Sequence, residues 1–257
     1  MPAKITIADN QLQRMKHKSW VEKWGISASA LWILAMIFLL MDHFGAAYME
    51  LGVLGGATEA GMDLYSPYMM PDLLLRLFGA IAFPLIAFLF VEGFRKTDDI
   101  KTYALKTLTV AVVAEIPFDL AFYMTPIYLW HQNLFFTLLL GLGVLVCLKR
   151  FGKNMVTKIL VLLAGCALTF LIRGDRGLEG IVIICAMYML WDRPLLQFAF
   201  CAMILIQNPL APLSLLAFLP IRLYDGTNYE KLQNIFYIFY PVHILLLYFL
   251  RIAVFGT

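Results

Sequence analysis

The sequence predicts an all-α integral membrane protein, a polytopic bundle of about nine transmembrane helices with a cytoplasmic N-terminus. Three observations predict it. The 257 residues are 62% hydrophobic and 14% charged, with a mean hydropathy of +0.81; a soluble domain is nearer about half apolar and about a quarter charged. The apolar residues fall into runs of spanning length, roughly 17–25 residues with shorter ones where aromatic residues cap them. The lysines and arginines gather at alternate ends of those runs. No window is polar enough for a soluble domain, and a net charge of +3 carries no nucleic-acid signal.

Residues 1–26 are polar and basic and fit a cytoplasmic or interfacial amphipathic segment. They hold no short apolar stretch with a small-residue cleavage site, so no cleavable signal peptide is expected. The apolar runs follow in order: 27–44, 73–91, 103–122, 133–148, 156–172, 177–191, 194–206, 210–223 and 235–253. The second contains Phe83-Pro84, which predicts a kink, and the third contains Pro117. The seventh and eighth are short. Gln207-Asn208-Pro209 between them fits either a tight hairpin or a pair of half-spanning segments. The ninth contains Pro241. No internal repeat is evident, so residues 27–257 are expected to form a single domain. Cys147, Cys166, Cys185 and Cys201 all lie inside apolar runs without metal-ligand spacing, which predicts core or lipid-facing thiols and no metal site.

Sidedness follows from charge. Of the 20 lysines and arginines, all but Arg76, Arg173, Arg176 and Arg251 fall before the first run or after the second, fourth, sixth and eighth. Those ends are cytoplasmic. The segment 45–71 is then outside and has no lysine or arginine.

With sides assigned, the polar groups inside apolar runs map to one depth. Asp42 and His43 are expected to close the first helix towards the outer face. Arg76 is about one turn into the second helix. Glu115 and Asp119 share a face of the third, and Asn133 and Thr137 do so at the start of the fourth. Arg173, Asp175 and Arg176 lie between the fifth and sixth runs, and His243 is mid-way along the ninth. Ionisable groups at such depth are costly and survive through partners, which points to one shared polar chamber in the outer half. Each has a plainer alternative. Asp42 and His43 could mark a helix end, and Arg76 could snorkel to headgroups. Glu115 and Asp119 could serve a helix kinked at Pro117, and His243 could bond carbonyls freed by Pro241. Arg173-Gly174-Asp175-Arg176 reads as an exposed loop with a local ion pair. At the cytoplasmic ends, Arg95, Lys96 and Arg150 fit either positive-inside bias or an anion-binding rim.

Several stretches together are similar to a known family. They are Met41-Asp42-His43, Leu77-Phe78-Gly79-Ala80-Ile81-Ala82-Phe83-Pro84, Val91-Glu92-Gly93-Phe94-Arg95-Lys96-Thr97, Glu115-Ile116-Pro117-Phe118-Asp119, Asn133-Leu134-Phe135-Phe136-Thr137-Leu138-Leu139-Leu140-Gly141 and Tyr237-Ile238-Phe239-Tyr240-Pro241-Val242-His243. In this order the chain resembles the TraX family, conjugal-transfer membrane proteins whose named member acetylates pilin, within a wider superfamily of transmembrane acyltransferases. The resemblance covers roughly residues 36–150 and 234–246 and is weak over 151–233. It departs at Phe78-Gly79-Ala80, where an arginine is expected, leaving Arg76 as the nearest cation.

The resemblance implies an acyltransferase of the bacterial inner membrane that uses acetyl-CoA or a related acyl-CoA from the cytoplasm. It places the base at His43. The acceptor would be a peptide, glycan or lipid amine or hydroxyl at the outer face, pilin-like peptide N-termini included. In that scheme Asp42 or another carboxylate orients His43, and Glu115 and Asp119 are further catalytic candidates. Arg76, Asn133 or His243 stabilises the oxyanion. Arg95, Lys96 and Arg150 hold the CoA phosphates. Two other classes fit the same residues: a proton- or ion-coupled transporter, disfavoured by the lack of repeats, and a non-catalytic envelope or pilus assembly partner.

Overall fold

Helix α1 (Ala28–His43) starts at Ser27, whose hydroxyl accepts the Ala30 N–H at 3.2 Å and so satisfies a donor that a helix start leaves open. The computed structural model describes residues 25–55, 65–208, 212–227 and 230–256; the amphipathic segment expected within 1–26 lies almost wholly outside them. The first helix does not close at His43. It runs on as a π-helical segment, Phe44–Val53, so Asp42 and His43 sit at an α-to-π junction and not at a helix end. Widened turns of this kind are rare and gather at functional sites. Arg251, fully buried, supports this one: its Nη1 donates to the carbonyls of Ala47 at 3.1 Å and Ala121 at 2.6 Å.

The second expected span is two helices, α2 (Met69–Gly79) and α3 (Ala82–Lys96). Pro84 accounts for the break. It has no N–H for the Ala80 carbonyl, and its ring crowds that carbonyl. Gly79 uses the break: a Cβ there would lie 2.5 Å from the Asp42 Cα, so α1 and α2 touch backbone to backbone beside Asp42. We expect Gly79→Val to force this contact apart at a cost of roughly 1–3 kcal/mol, as overpacking does. Thermal unfolding in detergent reads it; an unchanged midpoint would mean the two helices have room to spare.

The next helices lie within a few residues of their expected runs: α4 (Ile100–Tyr123), α5 (Leu134–Phe151), α6 (Met155–Ile172), α7 (Gly177–Met189) and α8 (Pro194–Leu205). Asp99 caps α4 by accepting the Thr102 N–H at 3.0 Å. The expected eighth span is not one helix. A 3₁₀ turn, Pro212–Ala217, leads into a five-residue helix, α9 (Phe218–Arg222); proline at 212 and again at 220 denies a longer helix its amide donors. The last helix, α10 (Glu230–Phe255), has 26 residues with Pro241 inside.

The result is the all-α membrane bundle the hydropathy predicts. Five helical segments among the described residues are long and apolar enough to cross a membrane, and α7, α8 and the Pro212–Arg222 piece are shorter apolar helices. Helix α3 is the centre: every residue from Ala82 to Glu92 is buried, as expected of a helix apolar all round, and it packs on α1 and α7. Helix α6 is the opposite case, with only Gly165 and Thr169 buried, and it offers Leu160, Leu163, Phe170 and Leu171 to lipid. Two isolated bridges tie the ends of the bundle. Ile26 pairs with Tyr224 at the lysine-rich end, and Gln132 with Gly174 at the other.

Candidate functional site

The lysine-poor, outer end encloses a cavity of about 380 Å³ between α1, the π segment, α2, α4 and the start of α7. Its polar wall alternates in charge. Arg76 Nη1 donates to Asp42 Oδ1 at 2.5 Å and to the Asp42 carbonyl at 3.1 Å, while its Nε faces Glu50 Oε1 at 3.0 Å. Arg176 Nη2 reaches the second Asp42 oxygen at 3.5 Å, and its Nε lies 3.4 Å from Asp175. Asp175 in turn lies 3.6 Å from His131 Nε2. Arg76 therefore does not snorkel; it is held between two carboxylates.

Asp175 and Arg176 come from the connection between α6 and α7. Burial pushes the Asp175 carboxyl up, but the His131 contact and the Arg176 charge outweigh it and hold the group below the usual carboxylate range. Burial likewise works against the Arg176 cation, and Asp175 and Asp42 together raise its pKa. The sequence expectation of an exposed loop needs correction here. The local ion pair exists, but the loop is tucked in. Gln132 donates to the Arg173 carbonyl at 3.0 Å and accepts the Asp175 N–H at 2.8 Å. Arg173 turns the chain at φ 57°, and Gly174 lies so close to Thr137 that a Cβ would sit 2.6 Å from its hydroxyl. This aims Arg176 inward, across Phe83, with its guanidinium 5.1 Å from the ring centroid.

His43 lies on the cavity wall with 7% of its surface exposed. Its Nδ1 is 2.7 Å from His243 Nε2, and His243 Nδ1 is 2.8 Å from the Phe239 carbonyl. Phe122 and Tyr240 meet the His43 ring edge-on.

Of the sequence-predicted residues, Asp42, His43 and Arg76 meet at the cavity, and His243 stands behind His43 outside the lining. Asp42 faces the arginines, so the expectation that it orients His43 does not hold; adjacent helix residues do not share a face. Glu115, Asp119 and Asn133 are not among the lining residues. Asn133 caps α5: its Oδ1 accepts the Phe135 N–H at 2.9 Å, and its Nδ2 donates to the Ala111 carbonyl at 2.8 Å and to the Glu115 carboxylate. With both ends of its amide engaged, it has no donor left for an oxyanion. Asp119 accepts the Tyr128 N–H at 2.6 Å. These three fasten the end of α4 to the start of α5 and so steady the wall that carries Phe118, Phe122 and His131. Glu50, His131, Asp175, Arg176 and Glu179 also line the cavity. In the sequence they are signalled by the position of Asp175 and Arg176 at the outer boundary of two apolar runs and of Glu50 in the outer segment 45–71.

A second cavity, about 510 Å³, opens at the lysine-rich end between α3, α4 and α10. Of the expected anion holders only Lys96 lines it, joined by Lys106, Tyr103 and Tyr237. Lys96 also pairs with the buried Glu92 at 2.8 Å. Arg95 lies over Trp191 at 4.6 Å and Arg150 over Phe151 at 5.5 Å. One helical step turns Arg95 away from Lys96, and Arg150 belongs to α5, so the three do not form one rim.

In comparison with known proteins, the family described as TraX protein matches residues 27–251. The match runs through 151–233, the stretch where the motif resemblance is weak. No curated protein and no solved structure matches.

Proposed function

Because this chain belongs to the TraX family, we propose that it is a cell-membrane acyltransferase that moves an acetyl or short acyl group from cytoplasmic acyl-CoA to an amine or hydroxyl at the outer face. The observation that carries the reading is His43, a histidine on the wall of a polar, partly enclosed cavity inside an apolar bundle. Buried titratable groups gathered at such a place are what a catalytic site requires.

The acceptor enters the outer cavity. His43 takes the proton of its amine or hydroxyl as that atom attacks the thioester carbonyl carbon. The new C–N or C–O bond forms and the C–S bond breaks. The departing CoA thiolate takes the proton back from His43, which leaves a neutral imidazole and free thiol. Arg76 and Arg176, facing the same space, are the cations available to the oxyanion. Asp42 keeps both of them in place. The phosphates of the donor bind at the inner cavity, on Lys96 and Lys106. The acceptor is a peptide such as a pilin-like N-terminus, a glycan or a lipid.

Purified protein in detergent should release CoA from acetyl-CoA when envelope extract is added, and label from the acetyl group should appear in that extract. Mass spectrometry of envelope peptides and glycans with and without the gene names the acceptor. No acyl transfer to any extract would reject the reading. Lys106→Ala should raise KM for acetyl-CoA about tenfold, the scale of one lost charge-assisted hydrogen bond, with kcat little changed. An unchanged KM would move the donor site elsewhere.

A further inference from the structure

The hydrogen bonds around His43 and His243 determine which nitrogen carries each proton. The Phe239 carbonyl can only accept, so His243 Nδ1, 2.8 Å away, donates to it. A neutral imidazole has one N–H. His243 Nε2 therefore bears a lone pair, and it faces His43 Nδ1 at 2.7 Å. The rings are parallel to within 3° with centroids 4.9 Å apart. That separation exceeds the N–N distance by about the reach of the two rings, so the nitrogens point at one another edge to edge. His43 Nδ1 must then be the donor. His43 Nε2 is left without a proton.

Double protonation of His243 would reverse this order, but the site opposes it. His243 is 4% exposed, its hydrogen-bond partners are a carbonyl and an imidazole, and Phe239 lies flat on it at 4.3 Å. An isolated cation there would lack a counter-charge.

We infer that His243 is a positioning residue that holds His43 in its Nδ1–H tautomer and leaves the basic Nε2 to the outer cavity. The consequence for catalysis rests on the acyltransferase reading; the tautomer does not. This role replaces the oxyanion donor expected from the sequence, because the one N–H of His243 is already given to Phe239. It also fills the place that Asp42 leaves vacant. When His43 takes a proton at Nε2, the lone pair of His243 steadies the resulting imidazolium, and no second proton needs to move.

The test is nitrogen NMR on histidine-labelled, full-length protein in detergent. Only four histidines contribute, and His43→Gln assigns the signal. In the wild type, His43 should show a proton on Nδ1 and the shift of a bare nitrogen at Nε2. A proton on His43 Nε2 would overturn the inference without any variant being made. In His243→Phe the two His43 tautomers should mix. In His243→Gln, whose side-chain oxygen accepts the same proton, Nδ1–H should persist. With acetyl-CoA as donor, His243→Phe should lower kcat roughly 10²-fold or more, the scale of a misplaced base proton, with KM for acetyl-CoA unchanged. His243→Gln should recover much of that loss, and a Gln variant that folds but is as inactive as Phe would also overturn the inference. Correct tautomer without transfer rejects the acyltransferase reading alone; transfer with the opposite tautomer rejects the inference alone.

Discussion

His43→Ala should abolish acyl transfer and leave the bundle folded. A general base contributes about 10²–10⁴ in rate, and among the cavity-lining residues the other imidazole, His131, is engaged with Asp175. The side chain removed is small beside the apolar core around α3, and its one hydrogen-bond partner, His243, keeps its bond to Phe239. The variant should therefore elute from size exclusion like the wild type and bind acetyl-CoA with unchanged affinity. Labelled acetyl transfer is the readout. Activity equal to the wild type would remove His43 from the mechanism and return it to a packing role.

Arg176→Met should have the largest effect on stability. It takes away the cation between Asp42 and Asp175: Asp42 keeps Arg76, and Asp175 is left with His131 alone in a partly dry cavity. Breaking a buried pair in this way costs about 3–5 kcal/mol. The side chains keep exposures of 20% for Arg176, 12% for Asp42 and 27% for Asp175, so solvent screening brings the expected loss towards or below the lower figure. The midpoint of thermal unfolding in detergent measures it. Adding Asp175→Asn should restore part of the loss by removing the carboxylate left without its arginine, while Asp42 keeps Arg76. A single variant as stable as the wild type would show that the pairing contributes nothing.

Much of the fold is legible in the sequence because the bilayer dictates it. Hydrocarbon thickness sets the length of a run, and the asymmetry of lysine and arginine sets its direction. What escapes is decided by contact between distant backbones. Nothing near residue 79 announces that α1 will press against it at Asp42, and nothing near Phe44 announces a π turn steadied by a guanidinium about 200 positions away. The same holds for the candidate site. Asp42, His43 and Arg76 stand out because charged groups are conspicuous in apolar surroundings. Glu115, Asp119 and Asn133 are just as conspicuous, yet the hydrogen bonds they make go to helix ends and a loop amide. Conspicuousness alone cannot separate these two fates. Arg176 reads as part of an exposed loop and His131 gives no signal for the converse reason: both belong to polar connections, where a charge is ordinary until the loop is seen to fold inward.

Arg251 has a consequence for biosynthesis. Its guanidinium joins the carbonyls of Ala47 and Ala121, and the same helix brings His243 to His43. Both residues emerge from the ribosome after every residue that lines the outer cavity. Until α10 inserts, the π turn lacks its clasp and His43 lacks its neighbour. The packing around the cavity is therefore completed last, and any fault in inserting the final helix leaves His43 and the π turn unsupported in a chain whose earlier helices are already in the membrane.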